Sequence, residues 1–477
     1  MSRIVLAVFL AWIIACADQT SVTAPDQADE VSAPSTPSDI ELDFSRGPFQ
    51  RAHTALSGGA TTVFDATATA FGHPAPNLSG ANAELHETGD EEFSAVFVPA
   101  PAAENAGLGP VFDNVSCEAC HLGDGRGRPP EDGVSFSSLL FRSSVAGFGG
   151  HGGPKSVPGF GGQLQLRANA GMTPEVRALV SYVESKGTFA DGTEYRLQVP
   201  QYTLTGGYLA LPAAFLFSPR VAPAVFGLGL LEAVPEEEIR EMAYQRERHN
   251  GISGRPNYVW DERRQRRAIG RFGWKANAPN LVQQTAGAYN GDMGVTSSLF
   301  PAESCEGQYP DCAPHAPEVS DETVAAVAFY TRTLGVPARR NLDDPKTQQG
   351  ERLFDAIGCD GCHAPTLRTG VLRGIPEVSN QTIHPYTDLL LHDLGPALAD
   401  GRPDFLASGS EWRTAPLWGI GLVSTVNGHT NFMHDGRARS LLEAVLWHGG
   451  EAKEARDRVL RLSAPQREAL VAFLGSL

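Results

Sequence analysis

Two stretches of the chain almost repeat each other: FDNVSCEACH at 112–121 and FDAIGCDGCH at 354–363. Each ends in Cys-x-x-Cys-His. Two thiols one helical turn apart can add across the two vinyl groups of one porphyrin, and the adjacent His then reaches the iron. The spacing therefore predicts two covalently bound haem c groups. Cys117 and Cys120 anchor the first, with His121 as axial ligand, and Cys359, Cys362 and His363 do the same for the second. Zinc would need two further ligands at each motif, and no spare Cys/His pair stands at finger spacing. A thioredoxin-like redox pair would need no following His.

The likeness extends beyond the motifs, as in a duplicated unit. RVAP (220–223) and FGLGL (226–230) answer RTAP (413–416) and WGIGL (418–422); FGW (272–274) answers FMH (432–434). In the second copy Ser440-Leu-Leu-Glu443 is a capping box, and SLLEAVLWH runs to Gly449-Gly450, a helix stop. Leu441, Val445 and His448 then share an apolar face. His448, fourteen residues after His434, is the expected sixth ligand of the second haem. The same step from Trp274 lands on Ala288, which cannot bind iron. The second haem is thus expected to be filled by His363 and His448, and the first to be open or weakly ligated. Tyr289, or His151 in the loop GFGGHGGPK, are the alternatives for a resting ligand there.

An open haem with His on one face suits peroxide, because cleaving the O–O bond needs a group that moves a proton between its oxygens. Gln284, Asn290 and Asp292 flank position 288. Asp292 is the candidate acid–base group and Gln284 a hydrogen-bond donor to peroxide; the alternative at Asn290-Gly-Asp is an Asx-type turn. Trp274, near the junction of the halves, is a candidate electron relay or a core residue. The expected activity is an oxidoreductase whose first haem reduces peroxide or forms a ferryl, while the second delivers or stores electrons. Its rival is a purely electron-transferring cytochrome with both irons closed.

The chain's 477 residues carry a net charge of −17 and 42% hydrophobic residues, ample for more than one core. The acidic balance argues against a nucleic-acid partner. A small redox protein or another electron donor is the expected partner, and peroxide the small substrate. Met1-Ser2-Arg3 followed by an apolar run from Ile4 to Ala15 is too short to span a bilayer. With Cys16 it resembles a lipobox, implying a lipid anchor at Cys16 as the sole membrane contact, and a cell-envelope, outer-membrane lipoprotein; an ordinary secretion signal is the alternative. Residues 17–47 have the composition of a disordered tether. Cys305 and Cys312, in a Pro/Gly-rich stretch of an exported chain, are expected to form a local disulfide.

The coarse organisation is a first haem domain over 48–335, enlarged by an insertion at about 122–219, and a second over 336–477. Within the insertion TFADGTEYRLQVPQYTL has the pattern of a β-hairpin with an Asp-Gly turn.

FMHDGRARSLLEAVLWH resembles the second-haem segment of the bacterial di-haem cytochrome c peroxidase superfamily, where a distal ligand, usually Met, stands at the position of His448. Trp274, Leu281 and Gln284 keep that family's spacing for an inter-haem Trp and a distal Gln. Its catalytic Glu would fall at Gly294, and the nearby carboxylate, Asp292, comes two residues early. GISGRPN (251–257), GRFGWKA (270–276), PYTDLLLHDLGP (385–396), EWRTAPLWGIGL (411–422) and HDGRARSLLEAVLWHGGEA (434–452) resemble the di-haem oxidoreductase family more closely. That likeness runs from about residue 45 to the end. It implies a mainly α fold of two cytochrome c-like haem domains related by internal repeat, with a loop/β-hairpin insertion in the first. Peroxidase relatives also hold calcium between the domains; no ligand set for it stands out here. Met ligation raises a haem's potential, so His448 in its place implies a low-potential second haem.

Overall fold

The computed structural model describes residues 54–130, 138–249, 252–305, 312 and 316–477. The expected signal, Cys16 and the tether lie outside them. No helix among the described residues is long and apolar enough to cross a membrane.

The described α-helices are α1 (Ala81–Ser94), α2 (Leu228–Ala233), α3 (Glu236–His249), α4 (Leu281–Met293), α5 (Asp321–Thr333), α6 (Pro345–Ile357), α7 (Val423–Asn427), α8 (Leu441–Leu446), α9 (Lys453–Arg461) and α10 (Ala464–Ser476). Each half is built round one helix pair, α1 on α5 and α6 on α10. A glycine marks each crossing. A Cβ on Gly89 would stand 2.3 Å from the Ala326 carbonyl oxygen, and one on Gly350 only 1.9 Å from that of Ala469. Any larger residue would force the helices apart. Val324, Val327 and Ala328 bury the inner face of α5, while Leu353, Phe354 and Ile357 of α6 meet Leu470, Phe473 and Leu474 of α10.

Local chemistry sets the ends of these helices. Ser320 accepts a hydrogen bond from Thr323 N at the start of α5, and Asp344 accepts from Thr347 N at the start of α6, where Pro345 leads the helix. Gly358 (φ 93°) closes α6 in the left-handed region, immediately before the second Cys motif. Between the halves, Val336–Pro337 pairs in parallel with Thr62–Val63 before the chain enters α6.

The expectation of a mainly α protein is not met: the chain is 31% helix and 21% strand, spread over many small sheets. Most of the strand lies in the insertion. Leu139–Phe148 pairs with Leu216–Val221, Gln163–Leu164 and Pro154–Lys155 in a four-stranded sheet. Val176–Thr188 and Glu194–Gly206 form the longest hairpin. Val176, Val180, Tyr202 and Leu204 are its inward residues and pack with Leu139, Phe141 and Phe160. Helix-based reading underestimated this region because alternation in long Gly/Pro-punctuated segments buries a face without any helical period.

The hairpin expected around Asp191-Gly192 is present but longer, and its turn is wider than two residues. Phe189 N donates to Thr193 O (2.9 Å) and Thr193 N to Asp191 Oδ1 (3.0 Å), closing a five-residue loop. The tip reaches across to the second half. Phe189 packs on Leu446 and Leu460, Ala190 N donates to Leu460 O (2.9 Å), and Arg467 pairs with Asp191 (2.9 Å). Gln198 N bonds to Glu443 Oε1 (2.6 Å). This contact alters the expected capping box of α8. Ser440 Oγ does accept from Glu443 N (3.1 Å), but the Glu443 carboxylate serves Gln198 and Arg439.

Candidate functional site

Both Cys-x-x-Cys-His motifs line one cavity of about 1740 Å³. That exceeds the ~300–1,000 Å³ of a pocket for one drug-sized ligand, leaving room for two large groups. The motifs form the same turn. His121 N donates to Cys117 O and His363 N to Cys359 O, each at 3.0 Å, which brings both thiols and the imidazole to the cavity wall. None of the four cysteines forms a disulfide. The disulfide expected between Cys305 and Cys312 is formed.

Three histidines share one arrangement. Nδ1 lies 2.6 Å from Pro223 O in His121, 2.9 Å from Tyr386 O in His363 and 2.8 Å from Ala444 O in His448. A carbonyl can only accept, so Nδ1 holds the proton and Nε2 keeps a lone pair for a ligand. Burial lowers the pKa of His121 and His448 and takes His363 down to about 4, so all three stay neutral. The His363 and His448 rings lie with centroids 6.4 Å apart and planes tilted by 55°. Two imidazoles bonded to opposite sides of one metal, at about 2 Å per bond, stand about 6 Å apart. These residues fit a haem c held on both faces.

Two other histidines border the second motif without offering a ligand. His392 has Nε2 on Asp388 and Nδ1 on Glu451, each at 2.9 Å. Burial favours its neutral form, but the Asp388 carboxylate overcomes this and lifts the pKa well above the ordinary value. His434 is buried and stacked on Trp412 at 3.7 Å.

The first half differs. The face of α4 turned to the cavity carries Leu281, Gln284, Thr285, Ala288 and Asp292. Its entry loop matches the loop before α8 bond for bond. Phe272 and Ala278 exchange backbone hydrogen bonds, as do Phe432 and Ala438. Gly273 and Ala276 take positive φ (77° and 50°), and their counterparts Met433 and Gly436 do too (71° and 76°). Asn280 and Ser440 cap the two helices. Ala288 therefore occupies the register of His448. Tyr289 points to the other side of α4, where it is fully buried and meets Phe97 edge-on at 5.6 Å. His151 stacks on Trp260 at 3.8 Å. Neither lines the cavity.

Helix α4 continues through Asn290-Gly-Asp, so no Asx turn forms there. Gly294 caps it at φ 67°, and a Cβ at that position would lie 2.8 Å from Gly109 Cα. No Glu fits where the resemblance would put one. Asp292 faces the cavity instead, with Oδ1 2.9 Å from Gln163 Nε2. The same nitrogen lies 2.7 Å from Oδ2 of Asp113, a buried cavity residue four positions before Cys117. Sequence reasoning missed Asp113 and Gln163. The signal was faint: an Asp in a loop before a motif resembles an ordinary turn residue.

Trp274 lines the seam between the halves. Its Nε1 donates to Val221 O (2.8 Å), and the Arg126 guanidinium sits 5.1 Å from its ring centroid. Arg413 N donates to Trp274 O (2.9 Å), while Val221 N donates to His434 O (2.8 Å). The repeat-related residues 274 and 434 are thus each tied to the other half's RxAP segment. Lys275, fully buried, fixes the neighbouring backbone through 2.8 Å bonds to Asp400, Arg402 O and Ser408 O. Stripping one partner from such a buried pair costs about 3–5 kcal/mol.

No curated protein matches the chain. A solved structure titled "Crystal structure of a MauG-like protein associated with microbial copper homeostasis" is similar at 16% identity over 54% of this chain and 88% of that one, with a TM-score of 0.26. A likeness so distant carries no argument. The family described as "Di-haem oxidoreductase, putative peroxidase" matches residues 51–477. A match of that extent, on a chain whose two Cys-x-x-Cys-His motifs share one cavity, means that this protein belongs to the di-haem oxidoreductase family.

Proposed function

We propose that the protein is a peroxidase-like oxidoreductase with two haem c groups of unequal coordination. Cys117, Cys120 and His121 would hold the first, leaving its other face open beside Ala288. Cys359, Cys362, His363 and His448 would hold the second on both faces. The observation that carries this reading is the pairing of His448 against His363 at 6.4 Å, set against an alanine in the same register of the other half.

When bound, the haems supply one-electron redox chemistry and an open coordination position in the first half. The chain's own residues do the rest. His121, His363 and His448 are oriented by the carbonyls of Pro223, Tyr386 and Ala444. Gln284 and Asp292 face the open side, where an amide can orient peroxide and a carboxylate can move its proton. Trp274 stands at the seam between the two halves, suited to relay electrons. Held by both His363 and His448, the second haem would have a low potential, which would favour storing oxidising equivalents over drawing electrons from an ordinary high-potential donor. A small redox protein is the proposed partner, and the proposed location is the cell envelope, with a lipid anchor at Cys16.

The test is a stoichiometry. The holoprotein, supplied with a reduced c-type cytochrome and hydrogen peroxide, is expected to oxidise two equivalents of donor for each peroxide consumed. Donor oxidation that does not depend on peroxide, with both irons closed to added cyanide, would replace this reading with that of an electron-transfer cytochrome.

A further inference from the structure

Asp113 and Asp292 come from elements far apart in sequence, yet the fold fastens them together. Asp113 N and Asn114 N both donate to the Asp292 carbonyl oxygen, at 2.8 and 3.0 Å, so the loop leading to Cys117 is pinned to the last turn of α4. The Gln163 amide then bridges the two carboxyls, 2.7 Å from Asp113 Oδ2 and 2.9 Å from Asp292 Oδ1. Those oxygens can be no more than about 6 Å apart, a separation at which like charges suppress each other's ionisation. The same Gln163 nitrogen also lies 2.7 Å from Gly291 O, which Gln165 Nε2 reaches as well (2.8 Å), so the bridge is tied to the backbone of the last turn of α4.

The environment of the pair is unequal. Asp113 is 8% exposed, whereas Asp292 is half-buried. The carbonyl end of α4 faces both and adds partial negative charge. The cations nearby are Arg142 of the insertion sheet, which lines the same cavity, and Arg167, whose Nη1 lies 3.4 Å from Asn114 Oδ1. The Arg142 charge draws Asp113 down, against burial and the Asp292 charge. Burial and then the Asp292 charge push Asp113 up to about 8, so it stays protonated at neutral pH.

We propose that Asp113 carries the proton consumed at the open haem face, with Asp292 as the partner that Gln163 bridges to it. This rests on the peroxide reading above and deepens it, assigning to the Asp113–Asp292 pair the acid role expected of Asp292 alone. Reduction of HOOH takes two electrons and two protons and yields two waters. The electrons come from the one-electron donor by way of the second half. As the O–O bond breaks, the Asp113 O–H bond breaks too and its proton forms the new O–H bond on the departing oxygen. Asp113 is then reprotonated from solvent through the cavity and passes a second proton to the remaining oxygen, which with the second electron leaves as the second water.

The experiment reads the proton directly as well as the rate. In the resting holoprotein, difference infrared spectroscopy should show a protonated-carboxyl band that disappears as pH rises through about 8. Asp113→Asn should abolish that band while both haems stay covalently bound. Asp292→Asn should shift its titration to lower pH by removing the neighbouring charge. Peroxide turnover should fall in Asp113→Asn by about 10²–10⁴-fold, the usual worth of a general acid, and lose its alkaline decline. Asn keeps an acceptor for Leu166 N, which bonds Asp113 Oδ1 at 3.0 Å, and Asp113→Glu should restore both band and rate in part. An active wild type whose band and rate survive Asp113→Asn would overturn this inference alone. A wild type without peroxide turnover would overturn the peroxide reading and the delivery step with it.

Discussion

Replacing His448 with alanine is expected to convert one of the two haems from low spin to high spin. The imidazole stands opposite His363 at a separation that fits one iron between them, with Nδ1 occupied by the Ala444 carbonyl, which leaves the lone pair on Nε2. Its backbone N bonds to Val445 O (3.2 Å), just past the end of α8, so alanine there should leave the turn intact. His392 cannot substitute, since both its nitrogens are engaged by carboxylates. Ferric electron paramagnetic resonance should therefore show one low-spin signal lost and a high-spin signal gained, with covalent haem content unchanged. Peroxide turnover should become limited by electron delivery. A spectrum identical to wild type would assign the sixth position of the second haem to another residue.

The converse substitution, Ala288→His, should close the first haem. Ala288 sits seven residues past the capped start of its helix and lines the cavity, as His448 does in the other half. The entry loops share their hydrogen bonds and their two positive-φ positions, so an imidazole placed there should meet the open face. The backbones do differ beyond this point. α4 continues to Met293, whereas α8 stops at Leu446, and the new histidine would project from the middle of a helix. The expected result is a second low-spin signal and a fall in peroxide turnover of at least about a hundredfold, or about 2.7 kcal/mol of barrier. Unchanged spin state and unchanged rate would mean that residue 288 does not face the iron.

Sequence logic was strongest where the chemistry dictates spacing. The two Cys-x-x-Cys-His motifs, the register of His448 against Ala288, and the pairing of Cys305 with Cys312 follow from rules that act over a few residues or within one repeat. It was weaker where packing decides. Tyr289 is one residue from Ala288 in sequence, yet the helical turn carries it to the opposite face, against Phe97. His151 looked available in a Gly-rich loop, but an aromatic partner from a distant strand, Trp260, takes its ring. The β-rich insertion shows only one hairpin in its sequence because its other inward residues alternate over segments broken by glycine and proline. Asp113 was invisible for a different reason: its burial and its partner 179 positions away exist only once the Asp113 loop is pinned to α4. The glycines at the two helix crossings, Gly89 and Gly350, were likewise unremarkable until the partner helix lay over them.

The central claim is the inequality of two similar haem sites, and spin counting by electron paramagnetic resonance on the resting and one-electron-reduced holoprotein tests it most directly. One high-spin and one low-spin ferric haem are expected at rest, with the high-spin centre binding added cyanide and the low-spin centre, held by His363 and His448, refusing it. Two low-spin haems that both remain closed to cyanide after one-electron reduction would contradict it.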